Sequence, residues 1–130
     1  RPAKRWPADY YLDLCQRLLG RGIQPVLIGG RDEEYLAKVL AEQCPGVRNL
    51  TDQTSIEDLA VLARNARLAI GNDTGPMHVA AVAGAPSLVL FSNQSDPDLC
   101  APQGANVRTL REGDLAALSV DRVWAEVETL

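Results

Sequence analysis

This chain has little from which to build a reactive or metal-binding cluster. Among its 130 residues are one histidine and three cysteines, all far apart in sequence. A lone histidine is a poor start for a zinc cluster or a His-rich redox site. Cys15, Cys44 and Cys100 are odd in number and form no CxxC pair, so they read as reduced, packed thiols rather than a disulfide framework. An excess of positive charge is also missing. The net charge is −4, which argues against a nucleic-acid binder or a basic membrane-surface patch and leaves room only for a local positive site. Long apolar runs are absent too: "AAVAGAPSLVLF" is broken by Gly84 and Pro86 and is too short to cross a bilayer. Nothing at the start resembles a signal peptide, so the glycosylation sequons at Asn49, Asn72 and Asn93 carry no weight. The expected compartment is the cytoplasm. The chain does not begin with Met. "RPAKRWPADYY" reads as a loop entering a helix, as in the middle of a longer protein.

What is present suffices for one domain, residues 1–130, with a real core: 46% of the residues are hydrophobic. After Pro7, Tyr11, Leu14, Leu18 and Leu19 recur at helical spacing, and Gly20 or Gly22 ends that helix. "QPVLIGG" reads as a short buried strand. "RDEEYLAKVLAEQC" reads as a helix with acids in its first turn and Leu36, Val39 and Leu40 inward. "VRNL" is a short strand. A third helix opens at Thr54 or Ser55, either of which suits the N-cap. "RLAIGN" is a strand, "PMHVAAVAG" a helix, and "SLVLFS" a strand as uniformly apolar as buried parallel strands are. A polar loop with a short strand at "VRTL" leads to the closing helix "SVDRVWAEVETL". Trp6 and Trp124 read as packing anchors. Alternating helices and short strands predict an α/β fold with a parallel sheet, its first strand lying before residue 1.

In such sheets ligands bind beyond the carboxyl ends of the strands. Three turns open there: "GGRDEE", "GNDTGPMH" and "SNQSDPD". The middle turn is the most specific. Asp73 or Thr74 can cap the helix, Gly75 bends without a side chain in the way, and Pro76 fits the first helical position. The N–H groups near Gly75, Met77 and His78 would face an anion, which the helix dipole favours. The small residues Ala80, Ala81, Ala83 and Gly84 would seat the helix tightly. Read alone, the same turn also suits a purely structural role, with Asp73 only capping and His78 only packing.

"GNDTGPMHVAAVAGAPSLVLFSNQSDPD" resembles the signature region of the heptosyltransferase family of glycosyltransferases, which build the inner core of lipopolysaccharide. "AKRWP" resembles that family's lysine-bearing loop, "LIGGRDEE" its GG-x-x-(D/E) turn, and "TSIEDLAVLARNARLAIGND" its approach to the signature. The resemblance implies a Rossmann-like three-layer domain, the C-terminal half of a two-domain GT-B fold. It implies an ADP-heptose donor, a lipid-linked saccharide acceptor, a partner N-terminal domain supplying the catalytic base, and no metal or other cofactor. In the whole protein it also implies a peripheral position at the inner membrane. Residue by residue, Lys4 matches the lysine that reaches the diphosphate. Asp73, Thr74, Gly75 and His78 match the residues around the phosphates and adjoining ribose, with Pro76 between them. Thr54 matches a position near the adenine, and Glu33 or its neighbour Glu34 the acid near the ribose. "SNQSDPD" departs from the family's glycine-bearing turn, which leaves the donor sugar open. Two alternatives stand beside this reading. One is a GT-B protein with another donor, such as a UDP-sugar, and the other is a non-catalytic doubly wound domain. A serine hydrolase is disfavoured, because no GxSxG elbow is present.

Overall fold

A computed structural model describes residues 5–72, 74–92 and 106–129. The chain divides into two compact units, Pro7–Thr54 and a second made of Arg1–Trp6 with Ser55–Leu130.

In the unit Pro7–Thr54, helix α1 (Ala8–Gly20) begins directly after Pro7, whose fixed φ suits a helix entrance. Its end is set by Gly22, at φ +75°, rather than by Gly20. Ile23 N–H returns to the Leu18 carbonyl at 2.9 Å and Gly22 N–H to Leu19 at 3.0 Å. This paired closure satisfies carbonyls that the last helical turn would leave open. Strand β1 (Val26–Leu27) is only two residues long. A single 3-10 turn, Arg31–Glu33, then precedes α2 (Glu34–Gln43). The helix expected from Arg31 onward is therefore α-helical only from Glu34. Strand β2 (Arg48–Asn49) pairs parallel to β1, with Val26 opposite Arg48 and Leu27 opposite Asn49.

The core of this unit gathers Cys15, Leu40, Cys44 and Val47, with Tyr11, Leu12, Leu19 and Leu27 packed against them. Leu14 is buried as expected, whereas Leu36, expected inward, is 43% exposed. Its position two residues into α2 leaves it beside an open apolar groove lined by Ala8, Asp9, Leu12, Leu36, Val39, Leu40 and Gln43. Cys15 and Cys44 are both unpaired thiols. Burial, and secondarily the neighbouring Cys44, pushes the Cys15 thiol up to about 11.

In the other unit, α3 (Ile56–Arg64) opens on a reciprocal cap. Ser55 Oγ accepts from Asp58 N–H at 3.0 Å, and Asp58 Oδ2 accepts from Ser55 N–H at 3.1 Å. Strand β3 (Ala69–Asn72), helix α4 (Gly75–Val82), strand β4 (Ser87–Phe91) and strand β5 (Val107–Arg111) follow. The three strands pair in the order β3-β4-β5, all parallel, with Ala69 opposite Ser87 and Ser87 opposite Val107. The parallel α/β reading holds in both units. Strand β4 is central and buried along its whole length, which is why "SLVLF" is apolar on both faces.

Alanines make the α3–α4 contact close: Ala63, Ala80 and Ala85 form one buried cluster. Gly84, at φ +100°, ends α4, and Ala85 N–H returns to the Ala80 carbonyl at 3.1 Å. A 3-10 turn at Leu115–Ala117, not expected from sequence, leads into α5 (Val120–Val127), capped by Ser119. Leu115, Leu118 and Val123 are completely buried. Trp6 is anchored as expected, its indole N–H donating to the Leu118 carbonyl at 2.8 Å. No helix among the described residues is long and apolar enough to cross a membrane.

Candidate functional site

Because β3 and β4 run parallel, their carboxyl ends open on one edge of the three-stranded sheet. The turn after β3 is built at close range. Gly71, the next-to-last residue of β3, has no side chain where a methyl group would lie 3.1 Å from both Cγ and Sδ of Met77. Met77 is buried with Val89 and Phe91, so the first turn of α4 is pinned to the sheet through this one side chain.

Thr74 takes the N-cap position in extended conformation, at φ −140° and ψ 164°, but its side chain makes no capping hydrogen bond. Of the two alternatives for the cap, Asp73 lies outside the described residues. The helix begins at Gly75, so Pro76 sits at its second position rather than its first. Pro76 carries no N–H, and the His78 N–H donates to the Thr74 carbonyl at 3.2 Å. This corrects the expectation that His78 would offer its backbone to a ligand: in the first turn, that role falls to Gly75 and Met77. Thr74, Gly75, Pro76 and His78 are all exposed. The arrangement is an open, rigidly seated helix start with partial positive charge, suited to an anion. Of the third turn, residues 93–105 lie outside the described residues, as does Lys4.

Glu33 and Thr54 belong to the unit Pro7–Thr54. Glu33 folds back on its own turn: its Oε2 accepts the Gly30 N–H at 3.0 Å, and its N–H reaches the Gly30 carbonyl at 3.2 Å. Glu34 starts α2 and is exposed. Of the two acids weighed from sequence, Glu33 is therefore the one built into the glycine turn. Thr54 is half-buried. Beside them Asp52 adopts φ +56°, a left-handed conformation unusual for a side-chain-bearing residue. Its N–H donates to the Gly29 carbonyl at 2.8 Å, tying the chain after β2 to the chain after β1. Sequence reasoning missed both Gly71 and Asp52, because neither a close approach nor a positive φ is written in residue type alone.

The pattern of Glycosyltransferase family 9 (heptosyltransferase) matches residues 1–123. The chain belongs to this family. Lipopolysaccharide heptosyltransferase 2 of Salmonella typhimurium is 36% identical over 115 residues, covering 85% of this chain and 33% of that protein. Lipopolysaccharide heptosyltransferase 1 of Escherichia coli O18:K1:H7 is 30% identical over 131 residues, covering 98% of this chain and 40% of that protein. Among solved structures, E. coli heptosyltransferase WaaC with ADP superposes with a TM-score of 0.89 at 30% identity. That match covers 99% of this chain and 41% of that one. E. coli ADP-heptose lps heptosyltransferase II gives 0.88 at 28% identity, over 98% and 42%. The family chain thus spans a third to two fifths of the length of these relatives.

Among the described residues of this heptosyltransferase-family chain, no group of three or more His, Cys, Asp or Glu side chains could hold a metal ion.

Proposed function

We propose that the protein carrying this chain transfers heptose from ADP-heptose to the inner core of lipopolysaccharide, and that this chain binds the donor's nucleotide. The observation that carries the reading is the Thr74–His78 turn: an exposed helix start, held in place through Gly71 and Met77, in a chain whose family is that of the heptosyltransferases. A relative solved with ADP, and the same enzyme solved with ADP-2-deoxy-2-fluoro heptose, support the choice of nucleotide.

In this reading Lys4, Asp73, Thr74, Gly75, Pro76 and His78 serve the diphosphate and adjoining ribose. Lys4 supplies a point charge, and the Gly75 and Met77 N–H groups supply aligned donors. The Asp73 carboxylate accepts backbone or hydroxyl hydrogen bonds instead of facing the diphosphate. Thr54 and Glu33 serve the adenosine end. One Glu33 oxygen already holds Gly30, so a ribose hydroxyl would meet the other.

A hydroxyl of the lipid-linked acceptor attacks the anomeric carbon and its bond to the diphosphate breaks. The hydroxyl proton passes to a base in the N-terminal domain, and ADP leaves. This chain stabilises the charge that develops on the departing diphosphate, without a metal. The reaction takes place in the cytoplasm, where the whole protein meets its acceptor at the inner membrane.

A transfer assay with the full-length protein tests the reading. ADP release from ADP-heptose, dependent on acceptor and undiminished by a chelator, is the expected result. Turnover of a UDP-sugar with none of ADP-heptose would overturn the donor assignment. Transfer by the isolated 130 residues would overturn the division of labour.

A further inference from the structure

The side chain of Asn49 occupies an unusual place at the end of β2. Its Oδ1 accepts two hydrogen bonds from one residue, from Thr51 N–H at 3.0 Å and Thr51 Oγ1 at 2.7 Å. A backbone N–H can only donate, so the amide oxygen must be the atom facing it. Thr51 is buried, at 4% exposure, although it is polar. Both its donors are aimed at this one oxygen.

The consequence passes along the chain. The peptide that joins Thr51 to Asp52 carries the Asp52 N–H, which donates to the Gly29 carbonyl at 2.8 Å, and Asp52 itself stands at φ +56°. Gly29 is itself crowded: a methyl group there would lie 3.0 Å from Glu33 Cβ. Gly30 N–H then meets Glu33 Oε2. Hydrogen bonds Asn49–Thr51, Asp52–Gly29 and Gly30–Glu33, joined by the peptide links Thr51–Asp52 and Gly29–Gly30, therefore connect Asn49 to the Glu33 carboxylate. Thr54 lies two residues beyond Asp52 in the loop between β2 and α3.

From this connection we infer that Asn49 is a positioning residue for the nucleoside end of the donor, acting through Asp52 and the glycine turn on Glu33 and Thr54. The inference rests on the donor reading above. It adds that affinity for the nucleoside depends on an amide that touches no ligand. A binding group acts at full strength only when its supporting residues hold it within about 0.5 Å of the productive geometry.

The test titrates the full-length protein with ADP and with inorganic pyrophosphate, which lacks the nucleoside. Wild type should bind ADP more tightly. Asn49→Leu keeps the shape and removes the acceptor, and it should weaken ADP about tenfold or more while leaving pyrophosphate within about twofold. Asn49→Asp retains an acceptor oxygen and should restore ADP binding to within about threefold of wild type. The Asp52 amide should exchange with solvent faster in Asn49→Leu and at the wild-type rate in Asn49→Asp. Thr51→Val removes only the hydroxyl bond and serves if Asn49→Leu fails to fold; its ADP affinity should fall in the same selective way. Unchanged ADP binding in a folded Asn49→Leu, or equal loss of ADP and pyrophosphate, would overturn the inference while leaving the donor reading intact. Failure of wild type to prefer ADP over pyrophosphate would overturn both.

Discussion

Gly71 and Met77 meet closely: a methyl group on Gly71 would lie 3.1 Å from Met77 Cγ and Sδ, tighter than an ordinary van der Waals contact. Strand β3 and the first turn of α4 are joined through that contact. Gly71→Ala should therefore make Met77 give by a few tenths of an ångström in its buried place beside Val89 and Phe91, at about 1–3 kcal/mol of stability. In a Met77→Ala background the same glycine substitution should cost clearly less. A double-mutant cycle measured by urea denaturation checks this, and strictly additive effects would show that the two residues do not constrain each other.

Much of this fold was legible in the sequence because the elements announce themselves locally. Thr54 or Ser55 was legible as the cap of a helix with acids in its first turn, and the structure caps it with Ser55, which bonds reciprocally with Asp58. "SLVLF" is apolar on both faces because β4 is covered on both sides. The errors arose where a neighbour distant in sequence decides. Leu36 has helical spacing but stays exposed, since nothing in its unit closes over that part of α2. The candidate turn was legible as a helix start with small residues behind it. That His78 spends its N–H on Thr74 depends on whether the helix begins at Gly75 or Pro76, which periodicity does not resolve.

Asp52 provides a second prediction. Its φ of +56° is a conformation that glycine adopts without strain. Asp52→Gly should leave stability unchanged or raise it by up to about 1 kcal/mol, while Asp52→Val should lower it by roughly 1–3 kcal/mol. Chemical denaturation of the two variants is sufficient. An Asp52→Val protein as stable as wild type would contradict the assigned backbone conformation.

The buried thiol of Cys15 provides a third. Its folded-state value is raised from an ordinary 9.0 to about 11, chiefly by burial. The folded state therefore keeps a proton that the unfolded chain gives up as pH rises past 9. The resulting stability is fully present below pH 9 and is lost progressively towards pH 11. Denaturation curves from pH 8 to 11 should show a steeper decline in wild type than in Cys15→Ala, whose baseline is lower. Parallel declines would contradict the shift.

The Trp6 indole makes a buried hydrogen bond to Leu118 that spans almost the whole sequence. Trp6→Phe retains an aromatic ring but leaves that carbonyl without its donor, at about 1–3 kcal/mol. Thermal unfolding checks the loss. An unchanged transition would mean that the bond contributes nothing net.

The central claim, that this heptosyltransferase-family chain holds the nucleotide of an ADP-sugar, is tested most directly by calorimetric titration of the protein with ADP and UDP side by side. Saturable ADP binding is expected that survives a chelator, is tighter than UDP binding, and is weakened by Asp73→Ala and by His78→Ala with the fold intact. Binding of neither nucleotide, a preference for UDP, or ADP affinity untouched by both substitutions would contradict it.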